Sequence, residues 1–319
     1  RGQRVLRRDC PKPTTCRFRI SRSNTGAGIS PAVPDAALRA RLLALPQPRR
    51  AAAIAQVQRD VPSADLADLR VSDGGALYYT CRIQPEAAPA VAAAAGPAGT
   101  LAVAAALPVH HSRPGATNVL FLDFDGHRIA RTQWQYRAAT NDFAADYVCR
   151  PFSLDSDFST LTQAELDAIT LIWKRVSEDF APFDIDVTTE QPTAWSPTTG
   201  HVLITPTTDA NGTQLPHFGS GGVAYLGPFG YINYSYDYQP PADQLQYAPL
   251  SPAFVTVTPN SSSAVYIAQA CAHEFGHNLG LHHDGTASSG YYSGHGSGTS
   301  AWGPIMGGGR ANQIDTWSK

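Results

Sequence analysis

The segment His273-Glu274-Phe275-Gly276-His277-Asn278-Leu279-Gly280-Leu281-His282-His283 constrains this chain more than any other, because it has the spacing HExxHxxGxxH. Two histidines four residues apart on a helix lie one above the other on the same face. Their imidazoles can then converge on one ion, with Glu274 projecting beside it. The helix must also end abruptly. Gly280 can take a positive φ, stop the helix and turn the chain so that His283 returns to the same ion. Three neutral imidazoles with one open position describe a catalytic zinc site. Structural sites usually close the fourth position with cysteine or histidine, and the chain has no CxxC pair.

The expectation is one catalytic Zn2+ on His273, His277 and His283, with Glu274 as the general base. His282 neighbours His283 and competes for the third place, but the spacing and the turn favour His283, leaving His282 at the surface or behind a ligand. Asp284 either orients a ligand histidine, holds the turn or faces solvent. His295 stands in a Gly/Ser-rich loop and reads as a loop residue. Asp155 and Asp157 are candidate Ca2+ ligands, although adjacent acids in a loop are usually just solvated.

Around the motif the pattern is mixed α/β. Asp35 to Leu45 and Ala51 to Val61 read as short helices and Gly75 to Ile83 as a strand. The run from Asn118 reads as a buried strand ended by Gly126. Thr162 with Glu165 is a capping-box signature, after which Ile169, Trp173, Val176 and Phe180 recur at helical spacing up to Pro182. Strands are expected from Phe183, from His201 and at 222–227, and the motif helix over Ser263 to Leu279.

The run Ala87 to Val109 carries no charged residue but is mostly alanine and is interrupted by Pro89, Gly96, Pro97, Gly99 and Pro108. It fits an extended linker better than a membrane span. It divides an arginine-rich segment, 1–108, from a longer part, 109–319. A net charge of -2 gives no reason to expect nucleic acid as a partner. Five cysteines cannot all pair with one another. Cys10 with Cys16 and Cys149 with Cys271 are feasible bridges, and Cys81 is open to a disulfide, a buried thiol or a metal-bound thiolate.

From Ala116 to Met306 the chain resembles the metzincin zinc metalloendopeptidases, which share the longer histidine motif and a downstream methionine turn. The single methionine, Met306, stands in Gly303-Pro-Ile-Met-Gly and looks like that turn, a soft apolar floor under the histidines. Asp284 directly after the third histidine, and Gly222-Val223-Ala224-Tyr225, look most like the reprolysin-like (adamalysin-like) branch. The resemblance implies a twisted, mostly parallel sheet packed on two long helices, a cleft beside an edge strand formed by 222–225, and a small irregular C-terminal subdomain. That strand would hold an extended protein or peptide substrate by β-augmentation. Gly308 stands where some relatives carry a tyrosine able to reach the metal, so no fifth protein ligand is expected. Related enzymes usually continue with another helix, whereas only 307–319 remain here, which points to a truncated or processed chain.

Together these readings describe a secreted, monomeric zinc endopeptidase without a membrane anchor. The N-terminal segment is expected to act as a propeptide that blocks the open zinc position, with Cys81 as the candidate switch. A zinc-dependent deacylase or a non-catalytic zinc-binding module are the competing functions.

Overall fold

The computed structural model describes residues 35–81, 106–216, 219–231, 234–258, 262–286, 289–308 and 314–318. Cys10, Cys16, most of the alanine-rich run and the last two residues of the expected strand at 75–83 lie outside this set.

The N-terminal part supplies helices α1 (Ala36–Ala44) and α2 (Arg49–Asp60) and strands β1 (Leu69–Val71) and β2 (Leu77–Cys81). Strand β3 (Asn118–Asp123) opens the longer part. Two small ladders follow, β4 (Arg128–Ile129) with β7 (Tyr147–Val148) and β5 (Tyr136–Arg137) with β6 (Asp142–Phe143). Helix α3 (Gln163–Phe180) begins on the expected capping box. The Thr162 hydroxyl accepts the Glu165 N–H at 3.3 Å, and the Glu165 carboxylate accepts the Thr162 N–H at 2.8 Å. Strands β8 (Ile185–Thr188), β9 (Thr199–Thr205), β10 (Gly222–Tyr225) and β11 (Ala253–Thr256) lead to helix α4 (Ala264–Asn278), N-capped by Ser263. Strands β12 (Trp302–Pro304) and β13 (Ile314–Thr316) pair near the C-terminal end.

One mixed sheet of seven strands, in the order β1-β2-β10-β11-β9-β3-β8, organises the molecule. The run β11, β9, β3, β8 is parallel, whereas β10 is antiparallel to β11 and to β2, and β2 is antiparallel to β1. Leu120, Leu122, Val202 and Ile204 join the core under α3 and α4. Leu203 and Val223 face a second core under Ile129, Trp134 and Tyr147. Alternation along each strand thus serves two layers. Phe275 of α4 meets Phe180 of α3 at 5.4 Å and Phe229 at 5.3 Å between ring centroids, and truncating a ring buried this way costs about 3–5 kcal/mol.

Two expectations change. The strand 222–225 is not an edge, because β2 pairs along it and β1 follows. Cys149 and Cys271 do not bridge. Both are buried thiols, one in each core on opposite faces of the sheet, which no disulfide can span. Burial pushes both thiols well above the ordinary cysteine range.

Among the described residues no helix is long and apolar enough to cross a membrane. Among its described residues the expected irregular C-terminal part contains only β12, β13 and a short 3-10 turn, and it is fastened to α3 by Trp317, whose indole N–H donates to the Asp179 carbonyl at 2.7 Å.

Candidate metal centre and its covering strand

Helix α4 presents His273, Glu274 and His277 inward, all at most 1% exposed. The helix stops where expected. Gly280 takes φ +87, and the Leu281 N–H donates back to the Gly276 carbonyl at 3.0 Å. The turn carries His283 to within 4.8 Å, ring centroid to centroid, of His277 and 5.3 Å of His273.

The outer nitrogens of the first two rings are fixed by main chain. His273 Nδ1 lies 2.8 Å from the Ile305 carbonyl and His277 Nδ1 lies 2.8 Å from the Leu281 carbonyl. A carbonyl can only accept, so each Nδ1 carries the proton and each Nε2 is left with its lone pair for a ligand. His283 Nδ1 stands 3.6 Å from Asp65 Oδ1, and the same carboxylate accepts the His283 backbone N–H at 3.1 Å. Burial pushes the Asp65 carboxyl up to about 6, against the opposing pull of His282 and the His283 N–H.

Cys81 arrives at the same point from β2. Its Sγ lies 3.3 Å from His277 Nε2 and 3.5 Å from His283 Nε2, and Cys81, His273, His277 and His283 together offer four ligand atoms within 4.8 Å of one another. Sulfur and nitrogen bound tetrahedrally to one zinc stand about 3.6 Å apart, given bonds of about 2.3 and 2.0–2.1 Å. The donor set therefore fits zinc in chemistry and in spacing.

The strand bearing Cys81 pairs with 222–225 in the register Gly222↔Cys81, Val223↔Thr80, Ala224↔Tyr79 and Tyr225↔Tyr78. Side chains two apart share a face, so Tyr79 accompanies Cys81 toward the histidines. Its ring packs at 4.5 Å from His277 and 4.7 Å from His283, and its hydroxyl reaches His282 Nδ1 at 2.8 Å. His282 thus stands behind the third histidine, in contact with the N-terminal segment. Sequence reasoning missed Tyr79 and Asp65, although the i, i+2 relation to Cys81 was a usable signal for the tyrosine.

The remaining site residues have definite places. Met306 lies under the helix, its Sδ so close to Gly276 that a β-carbon there would collide with it. The Asp284 N–H donates to the Met306 carbonyl at 2.8 Å, so Asp284 holds the turn through its backbone. Tyr291, unmarked in the sequence reading, packs at 4.2 Å from the His283 ring. His295 pairs with Trp302 in the C-terminal loops, apart from the cluster. Asp155 and Asp157 accept loop N–H and hydroxyl groups of 153–160 and join no metal-ligating group among the described residues.

Residues 202–318 match the family model Reprolysin_5, metallo-peptidase family M12. The match spans α4, the Gly280 turn, His283 and Met306, and it supports the reprolysin-like resemblance. A metallopeptidase domain of this family suggests a zinc-dependent peptidase acting on protein or peptide substrates. No curated protein and no solved structure matches the chain.

Gly222 carries a further constraint, since a β-carbon at this position would run into the Glu274 carboxylate. The sheet and the motif glutamate therefore fit only because residue 222 lacks a side chain. Gly222→Ala should cost about 1–3 kcal/mol by overpacking in chemical denaturation. The cost should largely vanish in a Glu274→Ala background, and an equal cost in both backgrounds would contradict the contact.

Proposed function

We propose that this chain is a secreted zinc endopeptidase made as a latent precursor, with His273, His277 and His283 as ligands, Glu274 as general base, residues 1–108 as the inhibitory segment and 109–319 as the catalytic domain. The observation that carries the reading is the convergence of three Nε2 atoms whose outer nitrogens are tied to backbone carbonyls or face a carboxylate. When bound there, zinc supplies Lewis acidity and a water whose pKa falls toward about 7.

The chain's own residues do the rest. The Glu274 carboxylate lies between the two helix ligands in sequence, fully buried and lodged against Gly222. From there it takes a proton from the attacking water and returns it to the leaving amine. Strand 222–225 offers main-chain hydrogen bonds to an extended peptide, which holds the scissile bond near that carboxylate. Met306, Gly276 and the Asp284 N–H brace the floor and the turn, so the ligand geometry is set before substrate arrives.

Latency follows from where β2 sits. It takes the same hydrogen-bonding edge that a peptide would use and brings a thiolate-forming side chain to the fourth position, while Tyr79 and Asp65 cover His277 and His283. Residues 82–105 then connect β2 to a segment whose His111 bridges Thr188 at the opposite edge of the sheet. With strands about 4.8 Å apart, β2 and the segment bearing His111, one spacing beyond β8, are separated by about 29 Å. Cleavage anywhere in this connection leaves β2 attached only by non-covalent contacts, and its departure would open both the strand and the fourth position.

Two variants test the assignment. Glu274→Gln in the processed enzyme should keep its zinc and lose at least about a hundredfold in casein hydrolysis, and a fully active variant would refute the assigned base. Cys81→Ser in the intact precursor should hydrolyse a peptide substrate without any cleavage of the chain, and unchanged latency would count against the thiolate switch.

A further inference from the structure

On the face of the sheet away from α3 and α4, a second group of ligating side chains gathers outside the site described above. Asp123 closes β3, His127 follows in the next loop and His201 stands on β9, and their ligand atoms lie within 4.8 Å of one another. His201 Nε2 is 2.8 Å from Asp123 Oδ2, and His127 Nδ1 is 3.4 Å from the same oxygen. Atoms bound tetrahedrally at about 2.0–2.1 Å stand about 3.3 Å apart, so the His127 spacing already suits a zinc-sized ion and the His201 hydrogen bond need open by only about 0.5 Å to admit one.

A plain hydrogen-bonded Asp–His pair accounts for the group poorly. The Asp123 side chain is 1% exposed, two imidazoles converge on its Oδ2, and no donor reaches its Oδ1. Burying the Asp123 carboxylate with one oxygen lacking a donor is costly unless a cation satisfies it. The surroundings also resemble those of a metal ligand. The Tyr236 hydroxyl lies 3.1 Å from His201 Nδ1, as an outer partner that would set the tautomer, and Phe121 and Trp195 pack at 5.3 and 5.1 Å from the His201 ring. His127 is 17% exposed, which gives an ion a way in.

We propose that Asp123, His127 and His201 form a second divalent-metal site, selective for zinc or a similar borderline ion and structural in role. Bound there, the ion joins the loop after β3 to β9. The effect reaches the motif helix through one hydrogen-bonded path: the His201 N–H donates to Tyr234 Oη at 3.0 Å, and that hydroxyl donates to Asn278 Oδ1 at 3.0 Å, at the end of α4. Asn278 Nδ2 in turn donates to the Tyr225 carbonyl of β10. The ion therefore stiffens the wall beside the peptide-binding strand without touching the reacting groups.

The test is zinc stoichiometry on the full chain, loaded with zinc alone, desalted and measured by inductively coupled plasma mass spectrometry. About two ions per chain are expected. His277→Ala should bring the count to about one by emptying the motif site, and Asp123→Asn should do the same by emptying the second. His127→Gln changes only the most exposed of the three ligands, so it keeps the test valid if Asp123→Asn fails to fold. In a His273→Ala, His277→Ala background, added zinc should still raise the melting temperature, and His127→Gln should abolish that rise. One ion per wild-type chain, or a second ion indifferent to His127→Gln, would overturn the site.

Discussion

Everything in the candidate metal centre depends on the groups that hold the outer nitrogens of its histidines, main chain for the two on α4 and Asp65 for His283. Ile305 and Leu281 place a carbonyl on His273 and His277, which settles both tautomers and aims both Nε2 lone pairs at one point. These carbonyls lie where they do because Gly280 ends the helix at positive φ and the Met306 turn returns beneath Gly276, tied by the Asp284 N–H. Gly280, Gly276 and Gly222 all mark places where a backbone or a functional side chain approaches too closely for a β-carbon or needs a backbone conformation that L side chains rarely adopt.

The N-terminal strand couples this centre to the sheet. By pairing with 222–225 it completes a seven-stranded sheet, so the segment that covers the metal position also buries its own apolar residues, Leu77 and Tyr79 among them. In the proposed precursor the same contacts serve inhibition and stability, and the covered state gains from core burial as well as from the thiol. Asp65 adds a second hold by taking the His283 N–H, which links the position of the third histidine to the presence of the N-terminal segment.

Much of this was legible from residue order alone. The capping box at Thr162, the buried strand from Asn118 and the α4 boundaries follow from local rules that tertiary context did not override. That His273 and His277 share one face of α4 was equally legible, since a four-residue spacing on a helix has only one geometric outcome. Strand β11 was not picked out, although Val255-Thr256-Val257-Thr258 alternates apolar and polar β-branched residues and was a usable strand signal. The cysteine pairing failed because sequence does not reveal that Cys149 and Cys271 lie on opposite faces of a sheet. Nor does it reveal that Asp123, His127 and His201, separated by up to 78 residues, meet on one face.

The central claim is that the intact chain closes its zinc position with the Cys81 sulfur. Zinc K-edge X-ray absorption of the full chain tests it directly, since no other described cysteine offers its sulfur to either group of metal-ligating residues. The account predicts a sulfur neighbour at about 2.3 Å alongside nitrogen neighbours at about 2.0–2.1 Å, with the sulfur signal lost once the N-terminal segment is removed. A spectrum from the intact chain that contains only nitrogen and oxygen neighbours would contradict it.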